Sequence, residues 1–492
     1  MFPMLSSTWN SRSARPDSEV RENGVDGIGR WRPRRQQRCP RPPALAAAAA
    51  PSDADHLSIP LGAQCGVCVP RLILGTMQFG EALSPSESHA IMSAAAEEAP
   101  VASAAAAGAG KRTPLLALDT AEAYPVPMAS VTSGDSERII GDWLRAGGRS
   151  NRRERTVLIT KASGPGDQPW LRGGPPRLDG HHLSRALEGS LRRLRVEEID
   201  LLLLHWPDRY VPMFGEVDFD PARSFFESGN GDENEDDEDD DDGFAEAERH
   251  FEDVLGAAFD AISAGKLRAV GLSNETPTGL LAATSASRRR RRRERRKGGG
   301  GGGGGGCSRQ QPKKLLFPGV AAVSNAYSLL ARNFDSNGMA EACEATRVPL
   351  LGYGPLAAGL LSGKYETGDE QGGVRGGPPL ARLNRYREEY AEEGRRYARA
   401  PRVREAVRDY VAIARRHGLK GGGAELALRF ALYSRPSRSA GGGGSAGRAA
   451  VFGATSVENV RAAFAAAAAG PLSREIVEEC DAVHARNPNP AP

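Results

Sequence analysis

The chain has 492 residues, of which 39% are hydrophobic and 26% charged, with 65 basic against 62 acidic side chains and a formal net charge of +3. That balance gives the whole molecule no electrostatic pull toward nucleic acid or a membrane surface, and no run of about 18 uncharged apolar residues offers a membrane-spanning helix. Six cysteines over this length argue against a disulfide framework and fit a reducing compartment.

Residues 1–55, rich in Arg, Pro and Ser, read as a disordered extension. Their arginines suit an organelle transit segment, although Asp17, Glu19, Glu22 and Asp26 are more acids than such segments carry. No apolar signal core is visible, so the expected location is cytoplasmic or, if the extension targets, plastid or mitochondrial. Cys65 and Cys68 form a lone CxxC with no second pair and no His at zinc spacing, which reads as two small residues in a turn region rather than a metal site.

From about residue 57 short apolar runs alternate with helical patterns. Strands are expected at 72–76, 115–119, 156–161, 199–205, 267–272, 319–324, 348–353 and 449–453. Between the third and fourth of these, Leu183, Ala186, Leu187, Leu191 and Leu194 recur at helical spacing. Continuously apolar strands are those buried on both faces, as in a parallel sheet covered by helices. Eight alternating units predict a (β/α)8 TIM barrel over residues 56–492 rather than an open sheet. The glycines of LGTMQFG are wrongly spaced for a dinucleotide fingerprint, which supports that choice.

Two low-complexity blocks interrupt the pattern as expected disordered insertions: 225–243, acidic (DENEDDEDDDD at 232–242), and 285–312, which runs RRRRRRERRK at 288–297 into polyglycine. Such insertions between elements are tolerated because loop-closure entropy grows only logarithmically with length. A nucleic-acid role for the basic tract is disfavoured, since no aromatics interleave it and the acidic block can neutralise it.

Five apolar runs stop on polar side chains: LLALD on Asp119, TVLITK on Lys161, IDLLLLH on His205, RAVGLSN on Ser273 and Asn274, and GVAAVSN on Asn325. In a barrel these positions share the C-terminal rim, where barrel enzymes carry their active sites. Adding Tyr124 from the loop after Asp119 gives a carboxylate, a phenol, an ammonium and an imidazole. Carbonyl reduction needs a proton donor to the developing alkoxide, and an isolated phenol is a weak acid at neutral pH. A neighbouring ammonium stabilises the phenolate, a carboxylate holds that ammonium in place, and an imidazole hydrogen-bonds the carbonyl oxygen. Each residue alone is weak evidence; the four together at rim positions form a coherent set.

With those residues in view, the chain resembles the aldo-keto reductase family, and within it the Tas-type branch. The resemblance rests on LGTMQFG at 74–80, DTAEAYPVP at 119–127, SERIIGDWL at 136–144, TKASGP at 160–165, HWPDR at 205–209, GLSNET at 271–276, NAYSLLARNFD at 325–335, GLLSGKY at 359–365, AIARRHGL at 412–419 and GATSVENV at 453–460. It implies a barrel enzyme that uses NADPH without a Rossmann domain to reduce a small-molecule aldehyde or ketone. Tyr124 would be the general acid, tuned by Lys161 and Asp119, with His205 orienting the carbonyl. Ser273, Asn274 and Ser324 would hold the nicotinamide carboxamide and Tyr353 would stack on the ring. Gly75, Thr76 and Met77 would line the cofactor cleft with Gly354 and Leu356. Gly359, Leu361, Lys364 and Arg382 would follow the pyrophosphate. Gly453, Thr455, Ser456 and Asn459 would meet the adenosine 2′-phosphate, near a helix start suited to phosphate.

Three departures from the family pattern stand out. Ser324 replaces a usual Gln, which shortens a carboxamide donor. Ala462 and Ala463 stand where Glu and Asn are frequent, so adenine contacts should be poorer and NADPH affinity lower. The acidic insertion follows the His205 strand and would sit beside the active-site mouth. No metal is implied and the sequence says nothing about oligomeric state. The alternative within the same fold is an NADPH-binding regulatory or sensor subunit with little turnover.

Overall fold

The computed structural model describes residues 58–62, 65–99, 116–147, 152–213, 218–221, 223, 243–298, 317–365, 382–385, 397, 401–434 and 447–491. Eight parallel strands close into a barrel. In chain order they are β3 (Leu72–Gly75), β4 (Leu116–Asp119), β5 (Thr156–Ala162), β6 (Ile199–Leu204), β7 (Leu267–Ser273), β8 (Val320–Ala326), β9 (Leu350–Tyr353) and β10 (Arg448–Gly453), with β10 pairing back onto β3. All eight coincide with the strands expected from the apolar runs, and the (β/α)8 architecture is the one anticipated.

Burial explains why the runs are continuous rather than alternating. Leu201 and Leu203 point into the barrel with Ile73, Ala117, Val157 and Val451, while Leu202 and Leu204 face the surrounding helices. Both sets are removed from water, so apolar residues dominate both faces of a strand, and the polar exceptions are paired, as Asp200 of β6 is with Arg268 at 2.8 Å. Small side chains at Ala117, Ala269, Ala321, Ala322 and Ala449 suit the narrow interior. Outside, α1 (Pro85–Glu98), α2 (Asp135–Ala146) and α3 (Gly180–Leu194) cover the first strands. The helical spacing noted at Leu183–Leu194 is the buried face of α3.

A hairpin that the sequence offered only as a turn region adds a floor to the barrel. β1 (Ser58–Pro60) pairs antiparallel with β2 (Cys68–Pro70), and Ile59, Leu61, Val67 and Val69 join the interior cluster. Gly62 anchors it, its N–H donating to the Ala321 carbonyl at 2.8 Å; a Cβ here would lie 2.7 Å from Ala321 Cα. Cys65 and Cys68 belong to this hairpin as free thiols.

The basic tract corrects an expectation. Residues 285–298, expected as part of a disordered insertion, are the second half of α5 (Pro277–Gly298), which packs along α4 (Gly243–Ser263). Arginine is a good helix former, and α4 supplies counter-charges: Arg289 lies 2.6 Å from Glu248 and Arg293 3.2 Å from Glu252. Arg291 adds a hydrogen bond to the Phe317 carbonyl at 2.6 Å. The tract is therefore helical because a neighbouring helix offers acids at matching spacing, which like-charge composition does not reveal. Residues 1–55, the acidic stretch 225–242 and the glycine run from 299 lie outside the described residues, and Gly243 opens α4. Among the described residues no helix is long and apolar enough to cross a membrane.

Candidate active site

The strand ends converge on one cleft of about 1410 Å³ at the C-terminal rim. Asp119 is the last residue of β4 and Lys161 the penultimate residue of β5, while His205 follows β6 directly. Tyr124 comes from the loop after β4, whose backbone is pinned at several points. The Thr120 N–H donates to the Ile159 carbonyl (2.9 Å), the Val126 N–H to Met77 (2.9 Å) and the Gly134 N–H to Tyr124 itself (2.9 Å). Thr76 and Ser136 cross-link the base of this loop through hydroxyls 2.9 Å apart. The loop after β4 is thus a fixed platform, not a free segment.

On that platform the four groups meet. The Lys161 ammonium donates to Asp119 Oδ1 at 2.6 Å and to the Thr120 carbonyl at 2.8 Å, and it lies 3.4 Å from the Tyr124 hydroxyl. The His205 and Tyr124 ring centroids are 5.7 Å apart at 74°. Asp119 and Lys161 are each 4% exposed. Burial pushes the Asp119 carboxyl up and the Lys161 ammonium down, and each opposes the other's shift through its charge. Burial, reinforced by the Lys161 charge, holds His205 well below the ordinary imidazole value, so its ring is neutral.

The remaining predicted residues divide clearly. Gly75, Thr76, Met77, Ser273, Asn274, Ser324, Tyr353, Gly354, Leu356, Gly359, Lys364, Arg382, Gly453, Thr455 and Asn459 all line the cleft with the four above. Two do not. The Leu361 side chain is fully buried in the outer core beside Leu360, where an apolar residue packs better than it would beside a phosphate. Ser456 is the N-cap of the helix Val457–Ala468, its hydroxyl accepting from the Asn459 N–H at 3.2 Å, and it faces the helix start instead of the cleft. Ala462 and Ala463 do line the cleft, so the missing Glu and Asn side chains would have faced it.

Local contacts also show how other residues are engaged. The Asn274 side chain, at φ 55°, donates to the His205 carbonyl at 2.8 Å and accepts from the Tyr353 hydroxyl at 2.5 Å. The ends of β6, β7 and β9 are therefore linked through one amide. Glycine is required at 359, where φ is +90° and a Cβ would come within 2.8 Å of the Lys364 Nζ. Arg382 reaches Met77 Sδ at 3.3 Å, bridging the cleft from the far side of the chain.

Sequence reading passed over a supporting layer. Arg209 and Glu275 form a buried ion pair, and Glu275 exchanges backbone hydrogen bonds with the Asn325 side chain at 3.1 and 2.8 Å. HWPDR, GLSNET and NAYSLL are thereby joined at one point, a connection that the motifs hint at only by co-occurring. Trp206 packs against His205, ring centroids 4.5 Å apart and planes tilted by 37°, and donates its indole N–H to the Pro165 carbonyl at 2.7 Å.

A dinucleotide fits the donor set. Asp119 Oδ2 and His205 Nδ1 are buried without a protein hydrogen-bond partner, and the Lys364 and Arg382 cations line the same cleft as the helix start after Gly453. The comparisons with known proteins agree with this geometry. The model of the "Aldo/keto reductase family" matches residues 71–485. "Protein tas" of Escherichia coli (strain K12) is 29% identical over 430 residues, 86% of this chain and 96% of that protein. An "Aldo-keto reductase" of Babesia bovis is 35% identical over 215 residues, 43% of this chain and 61% of the relative. An "Uncharacterized oxidoreductase YrpG" of Bacillus subtilis is 26% identical over 303 residues, 61% of this chain and 66% of the relative.

Proposed function

The chain belongs to the aldo/keto reductase family, and we propose that it uses NADPH to reduce an aldehyde or ketone to an alcohol, with Tyr124 as the general acid. Membership makes it an oxidoreductase acting on carbonyl compounds; the cofactor and the acid are the finer reading. The observation that carries it is the Lys161 ammonium, 2.6 Å from Asp119 Oδ1 and 3.4 Å from the Tyr124 hydroxyl in the wall of the cleft.

When bound, the nicotinamide supplies the hydride. The residues of the chain do the rest. Ser273, Asn274, Ser324 and Tyr353 would hold the ring end, Lys364 and Arg382 the diphosphate, and Gly453, Thr455 and Asn459 the adenosine end. The neutral His205 imidazole donates a hydrogen bond to the substrate oxygen and aims it at the phenol. Tyr124 gives its proton to that oxygen as negative charge builds there, and Lys161 stabilises the phenolate left behind. Asp119 keeps the ammonium oriented.

The reading is tested by following NADPH and NADH absorbance with methylglyoxal and 4-nitrobenzaldehyde as probe carbonyls. Steady oxidation of NADPH, faster than that of NADH, is expected. Tight NADPH binding with negligible turnover on every probe would favour the regulatory alternative. A further consequence follows from His205. Because burial keeps its ring neutral, kcat/KM should stay level as pH falls through the ordinary imidazole value of about 6.5. A pH–rate profile with a break there, traced to His205 by its loss in His205→Gln, would contradict the neutral-donor role.

A further inference from the structure

We propose that Glu122, gripped by Arg172, is a positioning residue that sets the separation between the Tyr124 phenol and the Lys161 ammonium; the proposal rests on the reading of Tyr124 as the acid. Glu122 stands two residues before Tyr124 on the loop after β4 and is 2% exposed. Its backbone N–H donates to the Lys161 carbonyl at 3.2 Å. Its carboxylate Oε1 accepts the Ser163 N–H at 2.8 Å and the Arg172 guanidinium. Arg172 in turn donates to the Ser163 and Arg177 carbonyls at 2.9 and 3.1 Å. One residue therefore ties the loop that bears the phenol to the strand end that bears the ammonium, its backbone N–H holding Lys161 and its carboxylate holding Ser163, on either side of residue 162.

Packing alone does not account for a charge in this place. Burial pushes the Glu122 carboxyl up, opposed first by the Arg172 guanidinium and then by the Ser163 N–H and the Arg193 charge, and an apolar pair of similar volume often serves a packing role as well or better. Arg172 also holds a left-handed backbone, φ 55°, that non-glycine residues seldom adopt. What such a clamp secures is distance. The Lys161–Tyr124 contact, at 3.4 Å, is at the long limit of a hydrogen bond, so a small shift of the loop would break it. Glu122 and Arg172 neutralise each other, so the influence on the phenol runs through geometry and not through a field.

The experiment compares Glu122→Ala, Glu122→Gln and Tyr124→Phe with 4-nitrobenzaldehyde as probe, reading kcat against pH, NADPH binding by fluorescence and the unfolding midpoint. Glu122→Ala should lower kcat about 10–100-fold, the scale of a misplacement near 1 Å, and should shift the pH profile while NADPH binding is unchanged. Glu122→Gln keeps an oxygen for Ser163 and should recover most of kcat even though its midpoint falls. Added to Tyr124→Phe, Glu122→Ala should cause little further loss. If both Glu122 variants lower the midpoint yet keep wild-type kcat and pH profile, while Tyr124→Phe is inactive, the clamp is refuted and the acid assignment stands. If Tyr124→Phe turns over normally, the acid assignment itself fails. Should Glu122→Ala not fold, Arg172→Gln breaks the same grip from the other side and is read by the same criteria.

Discussion

Tyr124→Phe should lower turnover by about 10²–10⁴-fold, the usual range for losing a general acid, while NADPH binding stays at the wild-type level. The substitution removes one hydroxyl and keeps the ring, which stands edge-on to His205 at 5.7 Å. The loop is held by backbone hydrogen bonds at Thr120, Val126 and Gly134 that do not involve the phenol, so the platform should survive. The hydroxyl is the group within 3.4 Å of the Lys161 ammonium, and a phenyl ring in its place has no proton to give. Single-turnover oxidation of NADPH with an aldehyde in excess isolates the chemical step. An unchanged rate would remove Tyr124 from the mechanism.

Lys161→Met should be the most damaging single change to stability as well as to turnover. It leaves the Asp119 carboxyl 4% exposed without its counter-charge, and breaking one side of a buried pair typically costs about 3–5 kcal/mol. The pH dependence has a definite sign. Burial already pushes Asp119 up, and without Lys161 that shift is unopposed. A carboxyl whose folded value lies above its unfolded one binds more protons in the folded state, so stability falls as pH rises. The loss should be small below the unfolded carboxyl value of about 4 and complete above the raised folded value. Urea midpoints at several pH values would show this trend. Asp119→Asn combined with Lys161→Met should recover most of the stability and none of the turnover, separating the structural from the chemical contribution. Equal pH slopes for wild type and Lys161→Met would rule out the buried-pair account.

Membership of the family leaves the carbonyl substrate to the loops around the cleft, as is usual for barrels. In this chain Trp206, Tyr210, Met128 and Met213 line that region. The stretch 225–242, between the β6 loop and α4, lies outside the described residues, so the place of the acidic block beside the active-site mouth stands as an expectation.

The order and position of the eight strands were determined by sequence, because each strand is buried on both faces and is therefore apolar over most of its length. Asp119, Lys161 and His205 were equally visible as polar residues ending such runs, although Asn325 ended one too and binds the Glu275 backbone instead of lining the cleft. Tyr124 was found by motif and chemistry. Other features required the folded chain. The arginine run became the second half of α5 because Glu248 and Glu252 of a separate helix lie alongside, which composition within one segment cannot encode. Leu361 turned into the core and Ser456 onto a helix start because neighbours claimed them, although the motif placed both beside a phosphate. The Glu122–Arg172 grip joins residues 50 apart in sequence, and Arg209–Glu275 joins residues 66 apart. Side chains chosen by burial leave a periodic trace along the chain; hydrogen-bonded pairs between distant loops leave none, because their partners are selected by proximity that exists only after the barrel has closed.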